Sequence, residues 1–377
     1  MTTVLDANHE LERIQAKLTD ENNLLKKHFI KNFIKDETGR YYENVENHVQ
    51  QDGTRYEGQI LNKKKSGKGI FHYKNGDCYI GDWKDDKFHG KGIYIFAKGE
   101  RYEGELINGM KEGYGAYYYL NGNVYEGQWK ADKKDGRGLY TYFMTNESYD
   151  GNWINGYKSG HGVFTFVNGD YYEGGFENGV KSGAGSIHYK SGTVFNGHWV
   201  DDKAASDGEI RYINGDYYYG HFKDSLKHGR GTYTFKSGTV YEGEFFGDSI
   251  NGKGLIRYSN GDMYEGEFRN GIKHGSGVYT HKNGERHEGV WVDDLRADIL
   301  DNRSGVMEQK SHQYNDGRFS LKPEHYNNTT GAQRIDNVNY QTKKSDYHET
   351  AYKDGTMKEE YHAKSTTLYD MPKTKQY

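Results

Sequence analysis

Between Lys74 and Gly92 the chain reads KNGDCYIGDWKDDKFHGKG. This places Cys78, His89, the carboxylates Asp77, Asp82, Asp85 and Asp86, and four glycines within nineteen residues. A thiolate, an imidazole and carboxylates so spaced could hold a metal ion, an activated cysteine could act as a nucleophile, and the glycines could cradle a phosphate. Each chemistry makes a demand. Cys78 is the only cysteine among 377 residues, so neither a cysteine cluster nor an intrachain disulfide can form. A dinucleotide loop needs G-x-G-x-x-G opening a helix after a strand, whereas GKGIYIF continues with a strand pattern. No H-E-x-x-H, G-x-S-x-G or Walker sequence occurs.

The stretch instead recurs. RYEGELINGMKEGYG follows at Arg101–Gly115 and VYEGQWKADKKDGRG at Val124–Gly138. The glycine of each Y-x-G element gives a ruler: Gly58, Gly81, Gly104, Gly127, Gly151, Gly174, Gly197, Gly220, Gly243, Gly266 and Gly289. These are eleven units at a 23-residue step, with one extra residue at FMTNES. Nine residues after most of them comes G-x-G, from Gly67/Gly69 to Gly275/Gly277; the seventh unit breaks it with Ser206. All five tryptophans, Trp83, Trp129, Trp153, Trp199 and Trp291, stand two residues after a ruler glycine, and Ile60, Leu106, Phe176, Phe222, Phe245 and Phe268 fill that slot elsewhere. One register slot for every tryptophan assigns them to packing, not to a cofactor box.

In YEGQW, Tyr125, Gly127 and Trp129 alternate and so share one face of a strand, with Glu126 and Gln128 on the other. Each unit reads as two short strands, with Asn-Gly turns such as Asn75-Gly76 and Asn168-Gly169 between units. Both prolines, Pro323 and Pro372, lie outside the array. The expected fold is an all-β repeat: an elongated single-layer antiparallel meander of about eleven hairpins. Hydrophobic residues make up 33% of the chain and tyrosines number 36, so ring packing stands in for an aliphatic interior.

Y-x-G-x-W, a loop, H-G-x-G-x-Y and an Asn-Gly turn together resemble the MORN (membrane occupation and recognition nexus) repeat family, over about residues 39 to 300. The resemblance implies a single-layer antiparallel ribbon with a scaffolding or tethering role. Such arrays occur in radial spoke heads of motile cilia, in membrane-junction proteins, in protist cytoskeletal proteins and beside lipid-kinase domains.

Against this register the opening residues lose their chemistry. Cys78 occupies a slot that elsewhere holds Arg55, Arg101, Val124 or Met263. His89 shares its slot with Glu112, Asp135 and Ser182, which makes it a loop-capping position. Asp85-Asp86, Asp201-Asp202 and Asp293-Asp294 read as solvated turn residues, with weak calcium binding as the alternative. No catalytic, cofactor or metal residue is assigned. With 55 acids against 51 bases and a formal charge of −4, nucleic-acid binding is disfavoured; Lys63-Lys64-Lys65 and Lys133-Lys134 are short basic runs that could touch anionic lipid.

Three segments follow. Residues 1–38 carry an amphipathic helix with the stripe Leu11, Ile14, Leu18, Leu25, Phe29 and Phe33, which needs a partner: the ribbon's first strands, or a coiled coil with another chain. Residues 39–300 are the array. Residues 301–377 form a polar, tyrosine-rich tail expected to be extended or disordered until bound. No run is long enough to span a membrane as a helix.

The candidate partner-binding residues are Leu11, Ile14, Leu18 and Leu25 on the helix, Tyr117 and Tyr119 on a ring-bearing face shared with Tyr94 and Phe96, and Tyr326, Tyr340, Tyr352 and Tyr361 in the tail. The leading expectation is a non-enzymatic scaffold, cytoplasmic and cytoskeletal, in a ciliary axoneme and most like a radial-spoke protein. Its partners would be other axonemal or cytoskeletal proteins, or a second copy of itself. The alternatives are a peripheral membrane–cytoskeleton tether recognising anionic phospholipid, and a regulatory subunit of a separate enzyme.

Overall fold

The computed structural model describes residues 4–35, 38–298, 349–353 and 356–360. Twenty-three short strands, from Val45–Val49 to Leu295–Arg296, follow one another as an antiparallel meander. Their contacts gather into two compact units. An N-terminal unit holds Glu12–Leu120 and Gln128–Lys133; a C-terminal unit holds Asn121–Gly127 and the strands from Lys134 onward.

In the N-terminal unit, strand Cys78–Lys84 lies between Lys64–His72 and Lys87–Ile95, with Gly81 opposite both Gly69 and Gly92, and Tyr79 opposite Phe71 and Tyr94. The C-terminal unit repeats the register: Gly220 faces Gly208 and Gly231, and Tyr218 faces Ile210 and Tyr233. After ruler glycines such as Gly58, Gly81, Gly104, Gly174 and Gly220 the register slips by two residues, three residues of the following strand standing against one, a recurring irregularity of the bulge kind. Trp83, two residues on, stays by alternation on the face of Tyr79. Opposite it stands the first glycine of G-x-G, at positive φ (Gly67, 87°; Gly90, 61°). In the broken seventh unit Ser206 adopts φ 60°, so the bulge survives the loss of its glycine.

Both turn types are dictated locally. Asp85 and Asp86 have φ of 49° and 68°, the pair of positive angles that a two-residue type I′ hairpin turn requires. At the next turn Gly76 takes φ 92°, and Asn75 Oδ1 accepts the Asp77 backbone N–H at 3.0 Å.

The helix spans Val4–Asn32. Its Glu12–Asn32 part belongs to the N-terminal unit, where it lies on the sheet face opposite the tryptophans. Leu18 is buried. Asn22 donates to Gly99 O at 2.7 Å and accepts from Arg101 at 2.9 Å, and Phe33 packs on the cluster Ile70, Cys78 and Ile80. Between the two expected partners, the structure shows the ribbon. Beyond the array, Glu349–Lys353 and Thr356–Glu360 pair as a separate hairpin.

Candidate functional site

The repeat's tyrosine explains its glycines. The Tyr102 ring lies flat over the paired Gly104 and Gly115; a Cβ on Gly115 would stand 2.5 Å from Tyr102 Oη and 2.7 Å from its ring carbons. The hydroxyl then donates to the carbonyl of the residue after the ruler glycine, Glu105 O, at 2.8 Å. Tyr56, Tyr79, Tyr149, Tyr172, Tyr218, Tyr241 and Tyr264 make the same bond three residues on, at 2.8–3.2 Å. Phe195 covers Gly197 without a hydroxyl. Each tryptophan donates Nε1 to the second G-x-G glycine of the preceding repeat: Trp83 to Gly69 O, Trp129 to Gly115 O, Trp153 to Gly138 O, Trp199 to Gly185 O and Trp291 to Gly277 O, at 3.0–3.2 Å. The tryptophan slot thus ties one repeat to the one before it.

A second column of residues was missed by the sequence reading. Lys65, Lys111, Lys134, Lys158, Lys181, Lys227 and Lys273 recur at the repeat period and fold over the rings. Lys111 Nζ stands 4.7 Å from the Trp129 ring, 4.9 Å from Tyr117 and 5.7 Å from Tyr102. Lys181 lies 4.4 Å from Trp199, and Lys273 4.9 Å from Trp291. Burial pushes Lys111, Lys158 and Lys181 down to about 8, while the ring faces favour the ammonium. The next turn supplies a carboxylate: Asp86, Asp132, Asp202, Asp248 and Asp294 accept the backbone N–H of Lys65, Lys111, Lys181, Lys227 and Lys273 at 2.8–2.9 Å. Where Phe88, Ala204 or Ile250 replaces lysine, Gly109, Ser225 or Gly271 replaces aspartate. These aspartates sit at positive φ, which aspartate tolerates in a tight turn; beside Lys134 and Lys158 the same position is Gly156 and Gly179. The signal was available in the sequence as one more 23-residue ruler.

This packing corrects one expectation. The ring-bearing face is not open apolar surface: Tyr94, Phe96 and Tyr117 are 0%, 4% and 4% exposed. Tyr117 bonds Glu100 and packs on Phe96, Tyr119 and Trp129, so it is core rather than a partner contact; Tyr119 is half-buried. Leu18 is buried, and Leu11, Ile14 and Leu25 half-buried. Tyr326, Tyr340 and Tyr361 lie outside the described residues, and Tyr352 falls in the strand Glu349–Lys353.

Cys78 is buried beneath Phe33, and burial raises its thiol to about 11, the opposite of an activated nucleophile. Its slot is also that of Arg101, so the variable position becomes the helix's seat: Arg101 bonds Asn22 and stacks 4.1 Å from the Tyr118 ring. The His89 slot caps loops elsewhere: Glu112 accepts from Ala131 N, Asp135 from Asn155 N and Asn251 from Asn270 N. Within the aspartate pairs, the second residue holds a lysine's backbone N–H, while the first, such as Asp85, is exposed. The basic runs divide the same way: Lys65 and Lys134 turn inward onto rings, leaving Lys63, Lys64 and Lys133 outside.

Comparison with known proteins agrees with this register. No curated protein sequence matches the chain. Among solved structures, the TCP10 domain of Danio rerio CPAP is 11% identical over 59% of this chain and 99% of that one, with a TM-score of 0.32. The G-box domain of the microcephaly protein CPAP is 14% identical over 54% and 100%, with a TM-score of 0.32. The TCP10c domain of Drosophila melanogaster Sas-4 is 15% identical over 65% and 97%, with a TM-score of 0.19. At these scores none bears on function. The MORN repeat family matches at 56–78, 79–101, 102–124, 125–144, 149–171, 172–194, 218–240, 241–263 and 264–286, more than half of the chain. It passes over 195–217, the repeat with Phe195, Ala204 and Ser206 in place of tyrosine, lysine and glycine. Such repeats point to a scaffolding or membrane-binding role. With nine matched repeats, each closing a ring over paired glycines, this chain belongs to the MORN repeat family.

Proposed function

We propose that this protein is a non-enzymatic scaffold that joins proteins within a ciliary axoneme, in the manner of a radial-spoke component. The observation that carries the reading is a row of side chains at one repeat position, the last residue before each hairpin turn. Leu61 and Ile107 in the N-terminal unit are apolar and exposed, and so are Ile154, Val200, Phe246 and Val292 in the C-terminal unit, each unit carrying its own row. In the intervening repeats the same position holds exposed Lys84, Lys130, Glu177, Lys223 and Arg269. Scattered apolar residues are ordinary on a surface, but strict alternation with charge at a fixed step suits a partner of regular structure. A fluid lipid surface has no register to match. The inward turn of Lys65 and Lys134 also removes charge from both basic runs, which weakens the anionic-lipid alternative. The titratable groups most perturbed by burial are held as packing partners, which favours a non-catalytic role over a catalytic or enzyme-regulatory one.

The test is recovery of full-length protein on demembranated axonemes and on vesicles containing phosphoinositide. Replacing Ile154, Val200 and Phe246 together by serine is expected to cut axonemal recovery at least tenfold and leave weak vesicle binding unchanged. Replacing Lys84, Lys130 and Lys223 by glutamine should matter less. Strong, salt-sensitive vesicle binding abolished by the lysine changes would establish the membrane reading instead.

A further inference from the structure

The last repeat departs from the others at two positions that converge on one turn, beside a carboxylate that other repeats also carry. His287 stands where Tyr56, Tyr79 and Tyr264 stand in earlier repeats, and His281 where Tyr73, Phe96 and Tyr258 stand. Glu285 lies between them, on the turn joining strand Ile272–Thr280 to strand Arg286–Val292. The replacement of two rings by imidazoles coincides with the end of the array: among the described residues Gly289 pairs with Gly277 on one side only, and a Cβ there would meet nothing within 4 Å. The tyrosine's packing role has therefore lapsed, and a side chain of different chemistry occupies its place.

We propose that His281, Glu285 and His287 form a binding site for one divalent zinc-class cation. One ligand atom from each lies within 4.8 Å of the other two. His287 Nε2 is 3.1 Å from Glu285 Oε1, and the two imidazoles meet edge to face with centroids 5.2 Å apart. The turn is closed by a backbone bond from His281 N to Glu285 O at 2.8 Å, which holds both ends of the set in register. Behind His281, Asp262 Oδ2 lies 3.7 Å from Nδ1, the position of a carboxylate that orients a metal-bound imidazole. Two imidazole nitrogens, one carboxylate and an open position for water make a four-coordinate zinc set. With metal–ligand bonds of about 2.0–2.2 Å, tetrahedral ligand atoms stand roughly 3.3–3.5 Å apart, so the widest separation in the cluster must close by up to about 1.4 Å. The side chains are 30–59% exposed and have room to do so.

One group opposes the ion. Arg296, in the slot of the caged lysines, points Nη1 at His287 Nδ1, 3.0 Å away, and pairs with Asp298. A neutral imidazole that binds metal through Nε2 carries its proton on Nδ1, so Arg296 must withdraw onto Asp298 as the cation enters. The arginine thereby sets the affinity without being a ligand.

The experiment is calorimetric titration of chelator-treated, full-length protein with zinc chloride, with folding followed by circular dichroism. The expected result is one saturable equivalent, lost in His281→Gln/His287→Gln, weakened at least tenfold in Glu285→Gln and tightened in Arg296→Gln. His287→Tyr restores the tyrosine of the other repeats; it should fold and melt at least as high as the parent yet gain nothing from zinc. X-ray absorption of the loaded protein should show two imidazoles. The proposal is overturned if zinc binds the double variant with the parent's stoichiometry and affinity, which would place it on others of the 17 histidines. It is equally overturned if the parent binds no saturable equivalent.

Discussion

Gly115→Ala isolates the ring-over-glycine packing. Gly115 does not have positive φ, so alanine introduces no backbone strain, and every effect comes from the added methyl. That methyl would stand 2.5 Å from Tyr102 Oη, about 1 Å inside ordinary contact, so the buried ring must lift. Lifting it breaks the 2.8 Å bond to Glu105 O and strands a buried hydroxyl, a loss of about 1–3 kcal/mol; overpacking adds about 1–3 kcal/mol. Restricting the unfolded chain returns about 0.4–1 kcal/mol. The expected net is about 2–4 kcal/mol of local destabilisation. The control is Gly289→Ala, at the ruler position that Gly104 holds beneath Tyr102 but with open space in front of it, expected to be neutral or slightly stabilising. Hydrogen exchange read by mass spectrometry should show lost protection across Arg101–Tyr118 in the first variant and none around His287 in the second. Equal effects at the two sites, or a silent Gly115→Ala, would refute the packing argument.

Three further outcomes follow. Trp129→Phe keeps a ring but loses the 3.0 Å bond to Gly115 O, and should cost about 1–2 kcal/mol by denaturant titration; the phenylalanines at Phe222 and Phe245 show that the slot accepts that ring. Cys78, the sole cysteine, reports on the helix: maleimide labelling should be slow in the parent and at least tenfold faster in Asn22→Ala, which removes the bonds to Gly99 and Arg101. With pH, folded Lys158 and Lys181 titrate near 8 against 10.5 in the unfolded chain, so between those values the folded state has shed protons that the unfolded state keeps, and the melting temperature should rise. Above about pH 10 it should fall, because buried Tyr172 and Tyr218 hold protons that the unfolded chain releases, and Lys158→Met/Lys181→Met should flatten the rise.

The meander was legible because its signals are local: a glycine every 23 residues, turn residues at fixed offsets and alternating faces. The tryptophan slot was legible for the same reason, although its purpose, a bond back to the previous repeat's glycine carbonyl, depends on register between strands and emerged only in three dimensions. The lysine column was periodic and visible, yet charge alone reads as solvated, and nothing in a single repeat says that three rings will close around an ammonium. Tyr117 was misplaced for a related reason: a single-layer sheet suggests an open face, and the sequence does not reveal that flat-lying tyrosines and lysine stems will cover it. The substitutions at His281 and His287 were readable as breaks in register, but their convergence with Glu285 depends on the turn's geometry.

The proposal of a protein scaffold meets its most direct test in a motile ciliated cell that carries the tagged, full-length chain, imaged before and after detergent removes the membrane. The scaffold account predicts that the protein lies along the axoneme and stays there after extraction. Its release with the membrane fraction, axonemes left bare, would contradict it.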